Sequence, residues 1–201
     1  MGYQISSYCR IYNSKLWLNG KQSLISNVEP ERLADKLFEE LELFYPKFYK
    51  MDKISKLGLV ASEMVLKGHN LPSLDSMAMI LSNCSSCDIT DQHYWELSKN
   101  RPSPSVFVYT LPNIVIGEIC IRHNIRGETL FFITPDFSAT HLHNQVIMMM
   151  NYSSVACLAG WIEVQSENVD ILLYLVSEAN NEKRLAHSKK NIQKLYELWK
   201  S

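Results

Sequence analysis

Three short stretches carry residue types that could do chemistry. "CSSC", Cys84 to Cys87, spaces two thiols as a redox pair or half of a zinc site would. "HLH" sets imidazoles at His141 and His143, groups that can ligate a metal or act as general base. "TPDFSATHLHN" places Asp136 after a proline, where an apolar strand gives way to a helix. Many enzymes present a nucleophile on such a turn. Each stretch also has a limit. There is no second C-x-x-C, and the residues around Cys84 do not read as a thioredoxin-type helix opening, so the pair reads as small loop residues. On a helix, positions i and i+2 project to different sides, so His141 and His143 cannot chelate one ion, and no metal site is expected. His69, His93, His123 and His187 stand alone. The glycines form neither a G-x-G-x-x-G nor a G-x-x-x-x-G-K loop, and no G-x-S-x-G elbow is present. Nucleotide binding and serine hydrolysis therefore lack a motif, and no cofactor is expected.

The elements that must position these residues follow from periodicity. Asn19-Gly20 between alternating stretches predicts a β-hairpin. Leu33, Leu37, Leu41 and Phe44 predict an amphipathic helix ended by Pro46. A second helix carries Ile54, Leu57, Val60, Ala61, Met64 and Val65 and closes at Gly68. "DSMAMILSN" reads as a buried strand, and "DITDQHYWELSKN" as a short helix capped by Thr90 or Asp91. Then come a strand at 106–109, a helix at 112–123, a strand at 129–134, a helix at 137–151 and strands at 154–164 and 168–179. A terminal helix carries Leu185, Ile192, Leu195 and Leu198. Strands alternating with helices give a fold class of α/β: a mixed, mainly parallel sheet with flanking helices.

The helix at 112–123 is apolar almost all round, through Ile114, Val115, Ile116, Ile119, Cys120 and Ile121, so burial on every side is expected. Glu118 within it then needs a partner such as Arg122, Arg126 or a backbone amide. The helix at 137–151 is half polar before Met148, Met149 and Met150, an adaptable apolar cluster that meets either the terminal helix or a partner.

The 201 residues fit a single domain, 1–201, that can bury roughly 70% of its unfolded surface. A formal net charge of −1 points away from nucleic acid and anionic membranes, and no run is apolar for the roughly 18 residues that a span needs. The first residues lack an apolar signal core, and five scattered cysteines read as reduced thiols, so the expected location is cytoplasmic.

From about Tyr49 to Glu163 the chain resembles the N-terminal half of the β-ketoacyl synthases of the thiolase-like superfamily. "KMDKISKLGLVASEMVLKG" is similar to that family's Arg-Met-Asp helix, and "MAMILSN" to the strand before its interface segment. "SPSVFVYTLPNIVIGEICIRHNIRGETL" resembles its proline-asparagine turn, small-residue helix and Arg-Gly turn, here Pro112-Asn113, Gly117-Glu118-Ile119 and Arg126-Gly127. "ACLAGW" resembles a strand ending in a glycine pair, of which Gly160 remains.

The resemblance implies one half of the thiolase-like fold, with 168–201 as an added strand and C-terminal helix. It places the family's nucleophilic cysteine at about Asp136, where a carboxylate stands; Asp136 suits a helix N-cap better than covalent catalysis. The family's catalytic histidines lie in a half that this chain lacks, so no catalytic residue is expected. What remains is a non-condensing accessory protein of an acyl-carrier-protein-dependent fatty-acid-like, polyene or polyketide pathway. Its implied partners are a full-length ketosynthase, the acyl carrier protein or a second copy of itself. Interface candidates are Asn113, Ile116, Gly117, Ile119, Met148, Met149 and Met150, with Arg126, Gly127 and Gly160 as structural turn residues. Two other readings stay open: a small acyltransferase or thioesterase-like enzyme using Asp136 with His141 or His143, and an interaction module unrelated to acyl chemistry.

Overall fold

A computed structural model describes residues 2–24, 28–69, 74–152, 154–179 and 184–200. Eight strands form one sheet: β1 (Tyr3–Tyr12), β2 (Lys15–Leu18), β3 (Lys21–Leu24), β4 (Met77–Asn83), β5 (Thr129–Ile133), β6 (Ala156–Val164), β7 (Val169–Glu178) and β8 (Leu185–Ala186). The order is β3-β2-β1-β7-β6-β4-β5, with β8 beside β1. The helices are α1 (Leu33–Glu40), α2 (Lys53–Leu66), α3 (Asp88–Ser98), α4 (Pro104–Val108), α5 (Ile114–His123), α6 (Ala139–Tyr152) and α7 (Lys189–Tyr196).

The sheet is mixed, as expected, but the balance differs from a mainly parallel one. Among the described residues only β4–β5 and β4–β6 pair in parallel. The pairings of β1 with β2, β7 and β8, of β2 with β3, and of β6 with β7 are antiparallel. Tight reversals join β1–β2, β2–β3 and β6–β7, and such connections only suit antiparallel neighbours. The hairpin at Asn19-Gly20 is present, with both residues at positive φ (50° and 86°) as a two-residue reversal requires.

Two apolar layers sandwich the sheet. α1, α2 and α5 pack on one face and α6 and α7 on the other. Strand alternation sorts the side chains: in β7, Ile171, Leu173 and Leu175 face the first layer, and Leu172, Tyr174 and Val176 the second. In β1 a register shift between Ile5 and Ser7 exchanges the faces, so Ile5 joins the second layer while Cys9 and Ile11 join the first. Beyond the shift, even-numbered β1 residues such as Tyr8 and Arg10 consequently lie on the α7 side.

Several local expectations need correction. Residues 106–109 are not a strand: Pro104 opens α4, and a proline in a first turn is preorganised for a helix despite the β-prone residues that follow. Phe44 lies beyond α1 and is 83% exposed, because that helix stops at Leu41, ahead of Pro46. Thr90 and Asp91 lie inside α3, whose N-cap is Cys87. CSSC therefore does open a helix, at the end of a parallel strand. Leu185 belongs to β8, not to the terminal helix. α5 is not enclosed on every side: Ile116 and Ile119 are buried, whereas Ile121 is 64% exposed. Among the described residues no helix is long and apolar enough to cross a membrane.

Candidate functional site

The turn between β5 and α6 is fixed from several directions. The Thr134 amide donates to the Asn83 carbonyl at 2.8 Å, extending the β4–β5 ladder. The Thr134 hydroxyl donates to the Asp136 carbonyl at 3.1 Å. Ser138, not Asp136, caps α6: its hydroxyl accepts from the His141 amide at 3.2 Å. Phe137 stacks on Tyr196 at 3.7 Å and meets Trp161 edge-on at 6.2 Å. The Asp136 side chain is left exposed and has no hydrogen-bond partner among the described residues.

Neither imidazole completes a dyad with it. His141 packs edge-on against Phe132 with ring centres 4.6 Å apart, and its Nε2 is buried without a partner. His143 stacks on His187 at 4.8 Å, with Nδ1 likewise unpaired. His187 is buried, both its ring nitrogens lack partners, and burial followed by repulsion from His143 lowers its pKa to about 4. Burial, with Lys189 nearby, also lowers the His143 pKa, so His143 and His187 stack as neutral packing groups. Among the described residues no cluster of three or more His, Cys, Asp or Glu could hold a metal.

The Cys84–Cys87 loop is held through charge. Glu163 at the end of β6 accepts from the Cys84 amide at 2.7 Å and the Ser85 amide at 3.1 Å, and also pairs with the Ser85 hydroxyl. Cys87 is buried, and burial, with Asp52 and Asp91 nearby, pushes its thiol up to about 12. All five cysteines are free thiols.

The interface candidates divide by exposure. Ile116, Ile119, Met149 and Met150 pack within the two cores, and of these Met149 also lines an open cleft. Asn113 and Met148 are exposed and Gly117 half-buried, with Ile121 extending the open side of α5. Glu118 has partners other than those expected: Tyr109 donates to it at 3.0 Å and Lys47 pairs with it at 2.8 Å. Arg122 instead engages Glu63 at 2.5 Å. Arg126 is an exposed side chain 3.7 Å from Asp75. Gly127 and Gly160 are sites of close backbone approach. A Cβ at Gly127 would lie 2.3 Å from the Met77 carbonyl oxygen, and one at Gly160 1.9 Å from that of Leu172. Gly160 is accordingly a mid-strand residue of β6 and not a turn residue.

What remains open is a surface around the sheet edge formed by β5, which among the described residues pairs only with β4. Ile133 is 52% exposed at its end. Beyond its start, a cleft of about 600 Å³ is lined by Glu128, Met148, Met149, Asn151 and Tyr152. The crossover from β4 to β5 contains α3 and α4, neither of which buries a residue, and leaves Trp95, Phe107, Val108 and Leu111 exposed. Periodicity alone hides this surface, because the apolar runs that form it read as core.

No family model and no curated relative matches the chain. Solved structures do. The ishigamide ketosynthase/chain length factor superposes with a TM-score of 0.67 at 14% identity, covering 92% of this chain and 64% of that one. A type II polyketide ketosynthase complex with its acyl-carrier protein gives 0.63 at 13%, covering 88% and 62%. A ketosynthase in complex with its chain length factor from Xenorhabdus doucetiae gives 0.62 at 10%, covering 98% and 90%. The chain thus spans slightly under two thirds of the first two. At these identities the likeness is one of fold: this chain shares the mixed α/β architecture of these ketosynthase and chain length factor chains.

Proposed function

We propose that this chain is a non-condensing ketosynthase-like accessory protein of an acyl-carrier-protein-dependent pathway making fatty-acid-like, polyene or polyketide chains. The observation that carries the reading is the combination of an inert turn with an open edge. At the position where a condensing enzyme needs a thiolate, the chain has an exposed carboxylate, a serine that serves as helix cap and a stacked phenylalanine. Beside it, an unpaired strand edge and exposed apolar side chains offer a pairing surface. Pairing through β5, α5 and the Met148 cleft with a full-length ketosynthase, or with a second copy, suits this surface. Its free thiols suit the cytoplasm. The alternative, hydrolysis or acyl transfer by Asp136 with His141 or His143, lacks the hydrogen bond that a general-base pair requires.

The test is solution mass by light scattering of the purified protein, alone and mixed with a full-length ketosynthase and the acyl carrier protein from the same host. A stable mixed complex is expected. Unchanged mass with every candidate would overturn the proposal.

A further inference from the structure

The first strand of the chain has a gap in its cover. On the side away from β7, β8 pairs with Gln4 and Ile5, and β2 pairs with Cys9 to Tyr12. Ser6 and Ser7 lie between these two short strands, at the register shift that exchanges the faces of β1, while the Tyr8 amide and carbonyl are bonded to Asn19. A pocket of about 500 Å³ opens there, at the opposite end of the sheet from β5. That volume lies within the range that small-molecule sites occupy.

The lining of the pocket is divided by chemistry. Ile5 and Leu195, each 4% exposed, form an apolar floor with Leu185 and Leu198 beside them. Arg184 and Lys194 stand at the rim, and neither has a carboxylate partner among the described residues. Among the described residues no acidic side chain lines the pocket. Hydroxyls of Ser6 and Ser7 complete the polar side; Ser6 already bonds Ser177 at 2.6 Å and Ser7 donates to Asn19 at 3.2 Å. The surrounding segment strengthens the field: residues 184–200 carry five basic side chains against the single acid Glu197, in a chain whose net charge is −1. Two rim cations with no carboxylate partner among the described residues attract an anion, and the adjoining apolar floor favours an aliphatic group.

We infer that this pocket binds an aliphatic anion, an alkyl chain bearing a phosphate or carboxylate head, with the head between Arg184 and Lys194 and the chain over Ile5 and Leu195. The site is independent of any pairing through β5.

Calorimetric titration tests it at low ionic strength with octyl phosphate and octanoate below their micellar concentrations, against inorganic phosphate and octyl glucoside. Saturable binding of either amphiphilic anion is expected, and the tighter of the two assigns the head group. Arg184→Gln and Lys194→Gln should each weaken it roughly tenfold, and added salt should weaken it further. Both residues are exposed, so thermal unfolding of the variants should match wild type. The inference fails if neither anion binds, if both substitutions leave affinity unchanged, or if octyl glucoside or inorganic phosphate binds equally well.

Discussion

Arg10 is the residue on which the C-terminal layer depends, and nothing in the pattern of its strand announces it. Its side chain is fully buried, 2.6 Å from Asp170, and it donates to the carbonyls of Tyr196, Ile11 and Ile171. The guanidinium also lies over the Tyr196 ring, whose hydroxyl donates to Asp170 at 2.6 Å. Burial lowers the Arg10 pKa, while the Asp170 charge opposes that shift. Removing one member of a buried pair strands the other, so Arg10→Met should cost about 3–5 kcal/mol in urea unfolding. The double variant with Asp170→Leu should recover much of that loss. Glycines give a sharper contrast at the same scale. Gly160→Ala forces a Cβ onto a backbone carbonyl and should prevent folding, whereas Gly117→Ala meets nothing within 4 Å. In a helix interior the latter should stabilise by about 0.5–1 kcal/mol, measurable as a raised Tm. Sequence alone offered Gly117 as an interface candidate and Gly127 and Gly160 as turn residues, since identity does not say what faces a missing Cβ.

At the scale of elements, β8 and α7 are docked through groups that must stay uncharged. His187 stacks on His143 from α6, near Tyr174 of β7, and Lys189 on α7 adds a positive charge beside His143. A histidine whose folded pKa lies below its unfolded value of about 6.5 contributes stability at neutral pH and loses it on acidification. With the folded value of His187 near 4, loss begins as pH falls through about 6.5 and is complete near 4. Between pH 7 and pH 5 the cost is about 2 kcal/mol for this group. Chemical denaturation over that interval should show it, and His187→Phe should flatten the dependence. The elements themselves were largely legible: α2, α5, α6, β4, β5, β6 and β7 lie where periodicity puts them. The failure at α4 has a local cause, because Val106, Phe107 and Val108 favour strands only if a sheet receives them. The site was less legible than the fold. Thr90 reads as a cap but donates to Asp52, the true cap of α2, tying two helices that sequence spacing cannot relate.

For the whole molecule, the open surface along β5, α5 and α6 makes a separable demand. Ile133→Lys, Ile121→Glu and Met148→Glu alter side chains that are each at least half exposed. They should leave Tm within a few degrees of wild type while weakening a ketosynthase complex by tenfold or more. Loss of Tm in all three would assign these side chains to the fold instead. The mixed sheet also explains why a parallel architecture was expected: only the middle of the sequence contains crossovers, and the reversals at either end reveal their antiparallel partners only once β1 is placed between β2 and β7.

That placement sets the order of events in making the protein. β1 leaves the ribosome well before its long partner β7, Val169–Glu178, so Tyr3 waits for Glu178 before its ladder can close. Pairings of such separation fold slowly, and until then the two edges of β1 are open to wrong partners except where a local hairpin covers them. The N-terminal hairpin shields one of those edges early. Folding of the central sheet is therefore a late, all-at-once event, and chain stalled before residue 169 should be held by chaperones or lost to aggregation.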